Sequence, residues 1–149
     1  MSSMFDPEQF LDATTTEALV RRPAIPAGTE LLGVITDIKP RVWQGKKDPT
    51  QSGVVMDVQI ELDTSGVKNQ PPKVTLTDGI MLDLTPQGSI DYSPGRNGKL
   101  RRYREALGLN TPGQSFSFRM MQGRPIRVKI GNRVAEGETY DQIDSVAKV

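Results

Sequence analysis

The chain's single tryptophan, Trp43, stands among four cationic side chains, Lys39, Arg41, Lys46 and Lys47, with no acid between residues 39 and 47. A flat ring among cations suits single-stranded nucleic acid, because bases stack on the ring at roughly 1–3 kcal/mol each while phosphates meet the charges. Two readings stand for this ring: it stacks with bases, or it folds back to cover one end of the core with the lysines solvated around it. A second basic set spans residues 124–133. Arg127 and Lys129 alternate with Ile126, Val128 and Ile130 and so project away from the core side. Two such residues alone read as a solvated strand face; Arg124 and Arg133 at the ends of the run extend it to a phosphate track. Tyr92, in SIDYSPGRNGK, either stacks or covers. Arg101, Arg102 and Arg104 read as the solvated arc of a helix. The candidate nucleic-acid-binding residues are therefore Trp43, Lys39, Arg41, Lys46, Lys47, Tyr92, Arg124, Arg127, Lys129 and Arg133.

Other chemistries lack their residues. There is no Cys and no His, which removes thiolate nucleophiles, disulfides, the commonest metal ligand and every Ser/His or Cys/His machine. No phosphate loop, G-x-G-x-x-G or G-x-S-x-G pattern occurs. Asp57, Glu61 and Asp63 share one face of an alternating strand, but they read as a solvated face rather than a Mg²⁺ site. Facing phosphates they are repulsive, so the path of a nucleic acid over the surface stays open. No catalytic residue, metal or cofactor is expected.

These residues need elements to position them. Residues 1–27 read as a peripheral arm, with Asp6 capping one helical turn that starts at Pro7, and with Phe5, Phe10 and Leu11 expected to tuck against the body. Thr29 to Ile38 reads as a first strand, with Gly33 marking a bulge or bend. Residues 39–53 are turn-rich and read as a long loop. Val54 to Asp63 has the clearest period-2 alternation. Val74 to Leu84 follows as a third strand, interrupted by an expected bulge at Asp78-Gly79. Asn97 is placed to cap a helix over 98–107, with Leu100, Tyr103 and Leu107 on one face and Gly108 as the left-handed stop. Residues 114–124 read as a short helix or a loose strand. Residues 126–130 and 139–149 complete the set, joined by a connection at 131–137. The order β–β–β–α–β–β predicts an all-β fold with one helix, the five-stranded Greek-key OB barrel, over residues 28–149.

At 149 residues the chain suits one domain. Its formal charge of +1 conceals segregation: residues 94–133 and 39–47 together carry +13, and the remainder carries −12. That predicts one positive and one negative surface. No apolar run is long enough for a membrane span and no basic leader opens the sequence, so a cytoplasmic protein without a membrane partner is expected.

The block LTDGIMLDLTPQGSIDYSPGRNGKLRRYREALGLNTPGQSFSFRMMQGRPIRVKI, closing with YDQIDSVAKV, resembles bacteriophage-encoded OB-fold single-stranded DNA-binding proteins of replication and recombination gene clusters. The resemblance covers about residues 28–149 and follows the pattern of elements rather than a catalytic signature. It implies sequence-independent binding of single-stranded DNA in the host cytoplasm and recruitment of phage or host replication and recombination proteins. Many such proteins recruit partners through a disordered acidic tail ending in an aromatic. Here the end is Ser145-Val146-Ala147-Lys148-Val149, and the acidic, Phe-bearing arm over 4–12 is the better candidate for that role. A homo-oligomer is compatible with the sequence. The alternative is a phage structural or protein–protein interaction module that uses an OB-like barrel without binding nucleic acid.

Overall fold

Alternation of branched apolar residues builds the sheet. In the computed structural model, which describes residues 6–48 and 50–149, the strands are β1 (Glu30–Gln44), β2 (Ser52–Asp63), β3 (Lys73–Met81), β4 (Pro125–Ala135) and β5 (Glu138–Ala147). All neighbours pair antiparallel in the order β3-β2-β1-β4-β5. The fourth strand returns beside the first, which is the Greek-key arrangement. One helix, α1 (Gly98–Ala106), lies between β3 and β4 in the chain. Ile35 of β1, Val58, Ile60 and Leu62 of β2, Ile80 of β3 and Ile126, Val128 and Ile130 of β4 form the core, closed by Leu100 and Tyr103 of α1 and by Met121. The expected five-stranded sheet with one helix is present.

The sheet is not closed into a barrel. No backbone ladder joins β3 to β5, and α1 packs at the seam. Lys99 Nζ donates to Asp78 Oδ1 at 2.7 Å and to the Gly79 carbonyl at 2.9 Å, and the Tyr103 hydroxyl donates to Asp78 Oδ2 at 2.6 Å. The helix therefore satisfies groups on the β3 edge that a closing strand would otherwise meet. Burial, with the adjacent Asp78 carboxylate, pushes the Tyr103 phenol well above its ordinary range, so it stays a donor.

Several expected irregularities move. The bulge in β1 lies between Ile35 and Asp37, where Thr36 is the extra residue, rather than at Gly33. Gly33 answers a close approach: a Cβ there would sit 2.8 Å from Ile60 Cγ2 and 2.9 Å from Leu62 Cδ2. The register of β2 with β3 runs unbroken through Asp78 and Gly79, so no bulge lies there. The expected connection at 131–137 shrinks to a two-residue turn, Glu136-Gly137, with φ of 52° and 77°. Two successive positive values make the type I′ turn that matches strand twist. Residues 118–121 form a 3-10 turn whose Met121 is fully buried.

At the N-terminus, Asp6 accepts from the Glu8 amide and caps a 3-10 turn over Pro7–Phe10, as expected. The expected tucking of the arm does not occur: Phe10 and Leu11 are 67% and 83% exposed, and Phe5 lies outside the described residues. An acid-rich segment loses more entropy on docking than two apolar side chains repay without a complementary cleft.

Candidate nucleic-acid interface

Of the residues read as a long loop, 39–44 and 52–53 are paired strand and 45–51 join the two strands. The last β1 residue paired with β4 is Val34, opposite Pro125. From Asp37 to Gln44, β1 continues against β2 alone, so the hairpin runs on past its β4 neighbour. Pro40 is tolerated because this part of β1 is an edge strand. Period-2 alternation then places Lys39, Arg41 and Trp43 on one face, opposite Asp57, Val55 and Gly53 respectively. Trp43 is half-buried, its ring beside Gly53, where a Cβ would be 3.7 Å from ring atom Cε3. Lys46 and Lys47 are exposed in the turn between the strands. The Gly45 amide bonds the Gln51 carbonyl at 2.8 Å, and Asp48 accepts from the amide and hydroxyl of Thr50, which holds its carboxyl below the usual range.

Arg41 is engaged. Its Nε and Nη2 reach the two Asp57 oxygens at 2.8 and 3.2 Å, a fork that lowers the Asp57 pKa and raises that of Arg41. Lys39 lies 3.5 Å from Asp37. The acids of β2 are occupied as well: Glu61 pairs with Lys73 at 3.4 Å, and Asp63 accepts from the Ser65 hydroxyl at 2.6 Å. Among the described residues, no group of three His, Cys, Asp or Glu is arranged to hold a metal ion.

The strand-four track is partly assembled. Arg127, Lys129 and Arg133 share the outer face of β4 by alternation, with Gly131 between them. Arg127 stands opposite the exposed Leu32, and Lys129 opposite Glu30. Among the described residues neither Arg127 nor Lys129 has a carboxylate within 4.0 Å. Arg124 does not join them: Nε donates to the Met120 carbonyl at 2.8 Å and Nη1 to that of Leu107 at 3.4 Å, which ties the end of α1 to the 3-10 turn. Arg133 lies 5.0 Å from the centre of the Tyr140 ring, which Arg21 also approaches at 4.4 Å. Tyr140 was not among the candidates. Centring the last hairpin on Glu136-Gly137 would have exposed it, because that register sets Arg133 opposite Tyr140.

Tyr92 lies apart from both sets, on the excursion between β3 and α1. This segment is pinned by Asn97, whose Oδ1 accepts from the Asp83 amide at 2.7 Å and whose Nδ2 donates to the Asp83 and Asp91 carbonyls at 2.9 Å each. Asn97 occupies the N-cap position as expected, but its side chain makes no cap bond to α1 because it is spent on the excursion. The helix ends as expected. Gly108, at φ 70°, donates to Glu105 and Leu109 donates to Arg104, a Schellman pair.

The charge segregation read along the chain is not carried whole into space. Arg41 and Lys99, from the basic stretches, pair with Asp57 and Asp78 from the acidic remainder. Among the described residues, the cations of the basic stretches without a carboxylate within 4.0 Å are Lys46 and Lys47 at the hairpin turn, Arg127, Lys129 and Arg133 on the outer face of β4, Arg102 and Arg104 on α1, and Arg119 and Arg124 at the 3-10 turn. Among the described residues no helix is long and apolar enough to cross a membrane. No protein-family model matches the chain, and no curated protein matches it in sequence.

Proposed function

We propose that this protein binds single-stranded DNA without sequence preference and without catalysis, in the replication or recombination of a bacteriophage within the host cytoplasm. Bases stack on Trp43, and phosphates meet Lys46, Lys47, Arg127 and Lys129, with Lys39 and Arg133 adding to the field. The observation that carries this reading is the β1–β2 ribbon beyond the last β4 pair, with its half-buried indole on the face that also bears Lys39 and Arg41 and with two exposed lysines at its turn. A core tryptophan would be enclosed by apolar residues; this one lies beside Gly53 on a strand face that also carries Lys39 and Arg41.

Titration of Trp43 fluorescence with oligo-dT of increasing length, repeated over a range of salt, tests the reading. Quenching is expected, with affinity falling about as the third power of salt concentration if four cations each displace counterions from a single strand. Weak binding unaltered by Trp43→Ala would sink it. A second reading, a protein-interaction module, is favoured by the arm, where Phe10, Leu11, Leu19 and Val20 are all exposed beside Asp6, Glu8, Asp12 and Glu17. Recruitment of replication proteins by this arm is compatible with either reading.

A further inference from the structure

We propose that the groove beside Tyr92 is a nucleotide subsite. Tyr92 takes a base on its ring, and Arg96 and Arg101 take the adjoining phosphate. This deepens the single-stranded DNA reading and rests on it. The groove has a volume of about 350 Å³ and is bounded by the 90–97 loop, Leu100, Arg101, Arg104 and Asn110.

The ring is held out on a fixed loop. Tyr92 is 75% exposed, yet the backbone on either side of it is bonded: Asp91 donates to the Asp83 carbonyl at 2.9 Å and Ser93 donates to Asp91 Oδ1 at 2.9 Å. Arg96 closes a turn onto the Ser93 carbonyl at 3.1 Å. Pro94 and Gly95, the latter at φ 85°, supply the type II residues of that turn. An exposed aromatic on a pinned loop loses little freedom when it binds.

The charges favour an anion. Three guanidiniums line the groove against one carboxylate, Asp91. Two of the three are loosely held, Arg96 3.9 Å from Asp91 and Arg101 3.8 Å from Glu105, at exposed positions where ion pairs contribute about 0–1 kcal/mol. A phosphate competes with both. Arg104 is fixed as a wall, stacked 4.2 Å over the Phe116 ring and bonded to the Leu109 carbonyl. Next to this groove lies another, of about 580 Å³, that also borders Asp91 and Arg96 and extends to Ser52 and Gly53, the residue opposite Trp43. A strand running from the Tyr92 groove toward the ribbon would cross at Arg96, where the lining also carries Asp83 and Asp91.

Photocrosslinking of the full chain to 5-iododeoxyuridine-substituted oligonucleotides, with adducts mapped by mass spectrometry, tests the subsite. Adducts at both Trp43 and Tyr92 are expected. Tyr92→Ala should weaken binding of long oligo-dT roughly 5- to 100-fold, the size of one lost stack, and Tyr92→Phe should restore it. Arg101→Gln should flatten the salt dependence. Adducts at Trp43 alone, with Tyr92→Ala binding like the parent, would overturn the subsite and leave the DNA reading standing. Failure of any oligonucleotide to bind or crosslink would overturn both.

Discussion

Arg41 and Asp57 decide how the ribbon presents itself to an anion. Together they are a neutral, forked pair on the face that carries Trp43; apart, each is a full charge. The Asp57 carboxyl, held below its ordinary range by that fork, is ionised at any pH where the protein would be studied. On the proposed reading, Arg41 masks a carboxylate instead of holding a phosphate. Arg41→Ala should lower affinity for oligo-dT by roughly fivefold, about 1 kcal/mol for one uncovered charge a few ångströms from the strand. The double variant Arg41→Ala/Asp57→Ala should recover most of that loss. A phosphate-binding arginine would behave differently, because removing Asp57 would relieve only one carboxylate's repulsion and leave the lost phosphate contact unrestored. Binding isotherms at a single low salt concentration separate the two outcomes.

At the level of elements, the sequence shows strands wherever apolar residues alternate and fails where polarity hides a pair. Val54 to Asp63 and Ile126 to Ile130 are legible because one face of each is core. Lys39 to Gln44 is not, because once β1 runs past β4 neither face is fully buried and alternation carries no hydrophobic signal. The pairing of the cationic stretch 39–44 with β2 was hidden in that way. The helix was legible from its face and its Gly108 stop, but the use of its N-cap residue was not. Asn97 has φ 52°, is buried, and spends its amide holding the 83–91 excursion rather than the helix. Asn97→Ala removes three buried side-chain bonds at about 1 kcal/mol each and places a Cβ residue without a polar side chain in the left-handed region. A loss near 3–4 kcal/mol in urea unfolding is expected. Asn97→Gly should lose about 1 kcal/mol less, because glycine removes only the backbone part of the penalty.

For the whole molecule, the question is where the arm ends and the body begins. The sequence reading placed that boundary at residue 28, but contact with the core starts earlier. Ile25 has no exposed surface, and its amide donates to Asp141 Oδ1 at 2.7 Å. The Asp141 side chain is 2% exposed and is paired with Arg22 at 2.6 Å, so Arg22 neutralises an otherwise isolated buried carboxylate. Residues 6–20, in contrast, are exposed throughout. A chain starting at Arg21 should therefore unfold at the same denaturant midpoint as the parent. Ile25→Ala should cost about 2–5 kcal/mol through the cavity it leaves, and Arg22→Ala about 3 kcal/mol through the carboxylate it strands. The Ile25→Ala loss should appear without any change in oligo-dT affinity measured below the unfolding transition, since that side chain lies in the core. If the shortened chain instead lost stability, the arm would be part of the fold, and its exposed Phe10 and Leu11 would no longer count as free for a partner.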